Sequence, residues 1–181
     1  MELLGLKKKE KFRKPKAIDK EYSFSQGEIL VSKTDTKGFI TYANEKFVKI
    51  SGYSQSELLG MPHSMTRHPK MPKLIFKLLW KELKAGREIN AFVKNIAKDG
   101  GFYWVFANVT PSFDVNNQII GFHSTRRRAS TNALKVIEPL YDTLRKNEIV
   151  GGIRQSEQVL AEILKEKGIE YDEFVYSIQH N

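Results

Sequence analysis

The segment that decides the fold lies at residues 51–72 and reads SGYSQSELLGMPHSMTRHPKMP. Its second half, 61–72, places Arg67 and His68 among prolines. Because each proline biases the preceding residue away from the α region, this half is predicted to be an irregular loop. A loop that packs apolar residues on the core and also carries a cation and an imidazole is typical of a ligand contact.

The residues on the N-terminal side of this segment predict a β-hairpin followed by short helices. Strands are expected at 28–34 and 39–43, separated by an Asp-x-x-Gly turn. Asn44 can cap the first helix, because its side-chain oxygen can accept from a backbone N–H of the first turn. Ser54 and Glu57 have the spacing of a capping box, which predicts the start of a second helix.

The residues after the loop predict one longer helix and three antiparallel strands. Apolar residues recur at helical spacing over 74–83. Strands are expected at 88–97 and 102–112, joined by a turn with the Asp-Gly hairpin signal, and at 118–126. The element order predicts an α+β fold, in which a five-stranded antiparallel sheet carries short helices over one face. Helical patterns return after Ser130 and predict additional C-terminal helices.

Charge and pattern divide the chain into three predicted parts. Residues 1–24 form a basic arm or helix, residues 25–129 the α+β domain, and residues 130–181 a helical extension. Residues 1–20 alone hold +5 of the net charge of +9. Its basic tract, residues 7–16, is interpreted as a solvated segment or as a contact with an anionic membrane surface, nucleic acid or an acidic partner. No nucleic-acid motif accompanies it, so no nucleic acid is expected as a partner.

Several function classes are disfavoured by the composition. The chain has no cysteine, which removes disulfides, thiolate catalysis and cysteine metal sites. No apolar run approaches the ~20 residues that cross a bilayer, and the N-terminus does not have a signal-peptide pattern. We therefore expect a cytoplasmic protein. No acid–base pair or second substrate site is recognisable, so we predict no enzyme, no catalytic residue and no metal site.

Strand parity places one polar side chain on the inner face of the sheet. Asn95 shares its face with Ala91 and Val93, whereas Lys94 lies on the opposite face, which is expected to be the wetter one. A buried amide without partners costs about 1–3 kcal/mol. Asn95 therefore either pairs with local backbone or offers a donor and an acceptor to a ligand. The aromatic outer face of the next strand needs a cover, from the terminal segments or from a second subunit.

Several motifs together resemble PAS domains of the bacterial aerotaxis-receptor type. In chain order they are YANEKF (42–47), SGYS (51–54), GMPH (60–63), RHP (67–69), VKN (93–95), YWV (103–105) and IEPLY (137–141). The resemblance covers roughly residues 28–145. It implies a PAS fold that binds FAD non-covalently and senses redox state in aerotaxis or energy taxis. It also implies that five residues contact the flavin or shape its pocket: Asn44, Arg67, His68, Trp80 and Asn95.

Alternatives remain for two of these residues, and the chain departs from the family at two positions. Asn44 is equally interpretable as a helix cap, and for Trp80 the interpretation as plain core is the stronger one. Lys70 stands where the family has an aspartate, and Ile89 where it has a tryptophan. FAD affinity and the preferred charge state of the flavin therefore stay open.

The resemblance also implies how such a sensor would signal. We expect a homodimer that acts through a separate, membrane-bound transducer of the chemotaxis type, with possible membrane contact by the basic arm. Two other functions are kept as alternatives. One is a cofactor-free PAS module for interaction or dimerisation, and the other is a haem-binding PAS sensor. His63, His68 and His123 are the candidate haem ligands, although His63 and His123 are expected to be structural.

Overall fold

The computed structural model describes residues 12–181, which form an α+β fold around one five-stranded antiparallel sheet. The strands are β1 (Leu30–Thr34), β2 (Ile40–Ala43), β3 (Ile89–Ile96), β4 (Phe102–Phe113) and β5 (Ile119–Arg128). Their order in the sheet is β2-β1-β5-β4-β3, so β3 and β2 are the edge strands. The predicted fold class and both predicted hairpins are confirmed.

The helices lie between β2 and β3 and after β5, as the sequence predicts. They are α1 (Glu45–Ser51), α2 (Gln55–Leu58), α3 (Lys73–Lys84), α4 (Thr131–Lys167) and α5 (Tyr171–His180), with a 3-10 turn at His63–Thr66. The predicted loop therefore contains one short regular turn, which begins directly after Pro62. The segment α4 consists of two helices that meet at a kink, because Gly151 and Gly152 have non-helical backbone angles. The capping box of Ser54 and Glu57 is present at the start of α2.

The outer face of the sheet is covered by the chain's own C-terminal helices. The Tyr141 hydroxyl donates to the Phe92 carbonyl at 2.8 Å, and its ring packs against Trp104 with centroids 6.0 Å apart. The expectation that the face of Lys94 is the wetter one is confirmed, because Asn90 and Lys94 are half-buried whereas Ala91, Val93 and Asn95 are buried; Phe92 and Ile96 on the wetter face are nevertheless fully buried. The extension, which strand parity alone did not place, thus covers the outer face of β3 only in part.

A carboxylate of α4 also caps the helix that follows the Pro-rich loop. Pro72 offers no side-chain cap to α3, and Glu148 fills this role from a distant part of the chain. Its Oε2 accepts from Lys73 N at 3.0 Å and its Oε1 from Leu74 N at 2.8 Å. A carboxylate satisfies free N–H groups and complements the dipole at a helix N-terminus. The extension is therefore attached both to the sheet and to the end of the loop.

The described part of the basic arm lies against the core. Ile18 N donates to Gly100 O at 2.9 Å, and Tyr22 N donates to Phe102 O at 2.7 Å. Phe102 N in turn donates to Lys20 O at 2.8 Å. Residues 18–22 are thus attached to the core by backbone hydrogen bonds, while the side chains of residues 18–21 remain exposed. The most basic part of the predicted arm, residues 1–11, lies outside the described residues.

Candidate functional site

A cavity of about 330 Å³ lies between the inner face of the sheet, the 3-10 turn and α3. This volume is in the range of small-molecule sites. Its apolar wall consists of Phe76, Leu79, Trp80, Leu83, Val93, Ala107, Val109 and Phe122. Its polar wall consists of Ser32, Thr34, Lys37, His63, Ser64, Thr66, Arg67, Asn95, Ser124 and Arg126. The small side chains of Ala107 on β4 and Ser124 on β5 leave room for the cavity among larger neighbours.

Asn95 and Arg67 face this cavity together. The two residues are bridge partners, since the loop runs antiparallel to the edge of β3 at this point. Asn95 is 3% exposed and its Nδ2 has no hydrogen-bond partner, so the alternative of local backbone pairing does not satisfy this amide. The Arg67 guanidinium lies over the Phe76 ring at 3.4 Å, and its buried Nε is also without a partner. Both residues line the cavity, and each has a buried N–H group without a partner.

His68 lies on the other side of the same edge and does not line the cavity. Its backbone N donates to Lys94 O at 3.2 Å, and its ring packs edge-on against Phe102. Consecutive residues of an extended segment point to opposite faces, so Arg67 on the cavity side places His68 on the outer side. His68 Nδ1 accepts from Lys70 N at 3.1 Å. Burial, together with the charges of Lys94 and Lys70, lowers the pKa of His68 to about 4.

Asn44 also lies outside the cavity, and its alternative role as a helix cap is confirmed. Its Oδ1 accepts from Phe47 N and from Val31 N, each at 3.0 Å. Its Nδ2 donates to Ile29 O at 2.9 Å. Both the oxygen and the nitrogen of this amide are therefore hydrogen-bonded within the protein, and these bonds join α1 to β1.

Trp80 lines the cavity and is also part of the packing around it. Its ring meets Phe122 edge-on, with centroids 5.4 Å apart. A Cβ atom at Gly38 would lie 3.3 Å from Trp80 Cζ2, and Gly38 has a φ of +84°. The glycine that closes the β1–β2 turn thus allows both the turn and the close approach of the indole.

Sequence reasoning missed Arg126, which is the most deeply buried cation of the site. It is 2% exposed on β5, and its Nη2 donates to Ser32 Oγ at 2.6 Å. Its Nη1 lies 3.3 Å from His63 Nε2, and its guanidinium lies 4.2 Å from the centre of the Phe47 ring. Its Nε is buried and has no partner. The alternation of Phe122, Ser124 and Arg126 along β5 was the sequence signal that could have found it.

His63 accepts from this arginine in its neutral form. Burial, and then the charge of Arg126, lower the pKa of His63 to about 3. A guanidinium can only donate, so the Nε2 that faces Arg126 is the acceptor and the ring proton is on Nδ1. Burial likewise lowers the pKa of Arg126 to about 10, which leaves it charged at neutral pH.

The unpartnered N–H groups of the lining residues indicate what kind of ligand the cavity can take. Nε of Arg67, Nδ2 of Asn95 and Nε of Arg126 are three buried, unpartnered N–H groups in the wall of one cavity. None of the lining residues, which all belong to the described part of the chain, is an aspartate or a glutamate. Unsatisfied buried polar groups are rare in native proteins and call for an explanation. The cavity suits a planar or apolar ligand whose edge carries acceptors and tolerates negative charge.

The lowered pKa values of His63 and His68 predict a loss of stability in mild acid. The ordinary pKa is 6.5, and the folded values are about 3 for His63 and about 4 for His68. Below pH ~6.5 the unfolded chain binds protons that the folded chain does not bind. The free energy of unfolding therefore decreases as the pH is lowered. The slope is at most about 1.4 kcal/mol per pH unit for each histidine. Urea denaturation between pH 7 and pH 5 measures it, and His63→Gln and His68→Gln should each flatten it. A wild-type stability independent of pH would contradict this prediction.

Comparison with known proteins identifies the domain that holds this cavity. Residues 40–126 match the family model described as the PAS fold. The chain contains a PAS domain. Over 115 residues the chain is 45% identical to the aerotaxis receptor of Escherichia coli (strain K12), a match that covers 64% of this chain and 22% of the receptor. The PAS domain is thus of the aerotaxis-receptor type, and the chain spans about a fifth of the length of this relative.

Solved structures support the same PAS fold. The dark structure of the blue-light photoreceptor Aureochrome1 LOV superposes with a TM-score of 0.55 at 21% identity, over 61% of this chain and 82% of that one. A light-oxygen-voltage domain studied with a flavin analogue gives a TM-score of 0.53 at 23% identity, over 61% and 83% of the two chains. Sequence identities at this level support a similarity of fold only. Within residues 12–181, no helix of this PAS protein is long and apolar enough to span a membrane.

Proposed function

We propose that this PAS domain binds FAD non-covalently and serves as a redox sensor. The observation that carries the proposal is the set of three unpartnered donors, from Arg67, Asn95 and Arg126, in a cavity without carboxylates. The polar edge of a flavin ring offers carbonyl and ring-nitrogen acceptors next to an N–H donor. Asn95 has the donor and acceptor that such a mixed edge requires, and a guanidinium is a fixed fork of donors.

The remaining lining residues fit the other parts of the ligand. The aromatic and aliphatic wall at Phe76, Leu79 and Trp80 suits the apolar side of a flavin ring. Lys37 and Ser64 are exposed members of the lining and therefore mark the mouth of the cavity. A cavity of about 330 Å³ is filled by a ring system, so the phosphate-bearing tail is expected to leave through this mouth, where Lys37 supplies a positive charge.

The two departures from the family lie outside the cavity wall. Lys70 is exposed, and Ile89 is 3% exposed within the core, and neither belongs to the lining. The substitutions therefore leave the donors that face the cavity unchanged. Among the five residues that the resemblance implies, Arg67, Trp80 and Asn95 line the cavity, whereas Asn44 and His68 support its surroundings.

The sensor would report a change of flavin charge through the elements that hold it. Bound flavin supplies reversible electron uptake. Asn95 and Arg67 would respond in their hydrogen bonds, and the loop that carries Arg67 leads directly to α3, whose first turn is capped by Glu148 of the extension. We propose that the extension passes this change to a membrane-bound transducer in aerotaxis or energy taxis, from a cytoplasmic homodimer. Similarity to the aerotaxis receptor supports this assignment.

The two alternative functions are less well supported by the geometry. Of the three histidines considered for haem, only His63 lines the cavity, and its Nε2 already faces Ser32 and Arg126. A cofactor-free module would keep three buried donors unsatisfied, at a cost of about 1–3 kcal/mol each. Flavin binding removes this cost and is therefore preferred.

Purified protein supplied with FAD tests the proposal. We expect the two visible absorption bands of bound oxidised flavin, and release of intact FAD on denaturation. Replacement of Asn95 by leucine should weaken the affinity about tenfold, because a buried hydrogen-bond pair is lost. Asn132→Leu, at an exposed position of α4, is the matched control and should bind normally. A colourless protein that takes up no FAD would contradict the proposal, and a haem spectrum would favour the haem alternative.

A further inference from the structure

Arg126 is a buried cation whose partners in the protein are all neutral. Its Nη2 donates to the Ser32 hydroxyl, and its Nη1 faces the neutral imidazole of His63. Within the part of the chain that the structure describes, no carboxylate forms an ion pair with Arg126. A buried charge is expensive unless a counter-charge or strong hydrogen bonds compensate it. The uncompensated charge therefore acts on whatever occupies the cavity.

The position of Arg126 makes this charge effective. The side chain lies in the interior of the cavity wall and is 2% exposed, so water and salt screen it weakly. Arg67 is different, because it is only half-buried and its guanidinium is stacked on Phe76 at 3.4 Å. Of the two arginines, Arg126 has the larger influence on a charge that appears inside the cavity.

The geometry points to Arg126 as the residue that determines which charge state of the ligand the pocket prefers. We infer that it exchanges its contacts with Ser32 and His63 for the ligand when the ligand becomes more negative. This inference rests on the proposed function and deepens it. For a flavin, electron uptake that is not matched by proton uptake leaves negative charge on the ring. A nearby guanidinium stabilises that state and raises the midpoint potential.

The exchange of contacts would also move the pocket wall. Ser32 belongs to β1, His63 to the 3-10 turn of the loop, and Arg126 to the end of β5 that leads into α4. A neutral hydroxyl and a neutral imidazole are the partners that a cation leaves most readily for an anion. Arg126 is therefore placed to convert a charge change in the cavity into a rearrangement between β1, the loop and β5.

The midpoint potential of bound FAD in the full chain tests the inference. Arg126→Gln should lower it by at least about 30 mV for a two-electron couple, which is a tenfold change in the ratio of affinities for reduced and oxidised flavin. Arg126→Lys keeps the charge and should stay closer to the wild-type potential. Arg127→Gln removes the same charge from the next residue, which is exposed on the opposite face, and should leave the potential unchanged.

The outcomes separate this inference from the proposed function. A wild-type chain that binds no FAD overturns the proposed function itself. A chain that binds FAD but shows the same potential in Arg126→Gln as in Arg127→Gln overturns only the role of Arg126. Arg126→Gln could also lose FAD altogether. In that case, an Arg126→Lys variant that binds FAD with a near-wild-type potential supports the role of the Arg126 charge. Loss of FAD binding in both variants overturns that role.

Discussion

A chain in which Ile137 is replaced by alanine is expected to lose about 2–5 kcal/mol of unfolding free energy. Ile137 lies in the first half of α4 and is completely buried in the same core as the sheet. Its truncation leaves a cavity between the extension and the domain that neighbouring side chains cannot fill without moving. Urea denaturation followed by far-ultraviolet circular dichroism measures the loss.

The neighbouring Val136 provides the control, because it is 43% exposed on the same helix. Val136→Ala should change the stability by less than about 1 kcal/mol. One cooperative transition in both variants indicates that the extension and the sheet unfold together. A similar, small effect of the two substitutions would mean that α4 is not docked in solution, and the outer face would then be free for a second subunit.

The elements of this domain were predictable because their signals are local. The capping box at Ser54, the Asp-Gly turn between β3 and β4 and the helical spacing of α3 each depend on a few adjacent residues. The inward position of Asn95 followed from strand parity in the same way. The covering of the outer face was left open, because it depends on the packing of residues that are far apart in sequence.

Which residues line the cavity was less predictable, because this also depends on packing between segments that are far apart in sequence. His68 was grouped with Arg67 as a ligand contact, but the loop runs along the edge of β3 and sends the two side chains to opposite faces. Asn44 belongs to one of the family motifs, but its side chain makes three hydrogen bonds with the backbone and leaves no group for a ligand. The site thus depends on how the loop pairs with β3, which its sequence does not specify.

Arg126 illustrates a further limit. Parity along β5 predicts that its side chain points inward, and an inward arginine ordinarily implies an acidic partner. The absence of such a partner appears only when β1, the 3-10 turn and β5 are assembled around Ser32, His63 and Arg126. The missing counter-charge is a property of the assembled wall, and it is the feature that most directly indicates what kind of ligand the cavity takes.

Filling the cavity is expected to abolish ligand binding while the fold is retained. Ala107 lies on β4 at the centre of the cavity wall, opposite Arg126 in the register of the sheet. Ala107→Leu adds apolar volume to space that is otherwise empty, so the overpacking cost of about 1–3 kcal/mol seen in dense cores should be largely avoided. FAD affinity, measured by fluorescence titration, should fall at least a hundredfold, since the added side chain occupies the position proposed for the ring.

The same variant distinguishes a sensor from a cofactor-free module, because it removes the ligand without touching the outer surface. Ala161→Leu, at an exposed position of the second half of α4, adds the same atoms elsewhere and should bind FAD normally. In a flavin sensor, Ala107→Leu should be folded and colourless. Addition of reductant should change the hydrogen exchange of α3 and α4 in the wild type and in Ala161→Leu, but not in Ala107→Leu. If Ala107→Leu binds FAD as tightly as the wild type does, the flavin lies outside this cavity. The unpartnered donors of Arg67, Asn95 and Arg126 would then need a different ligand.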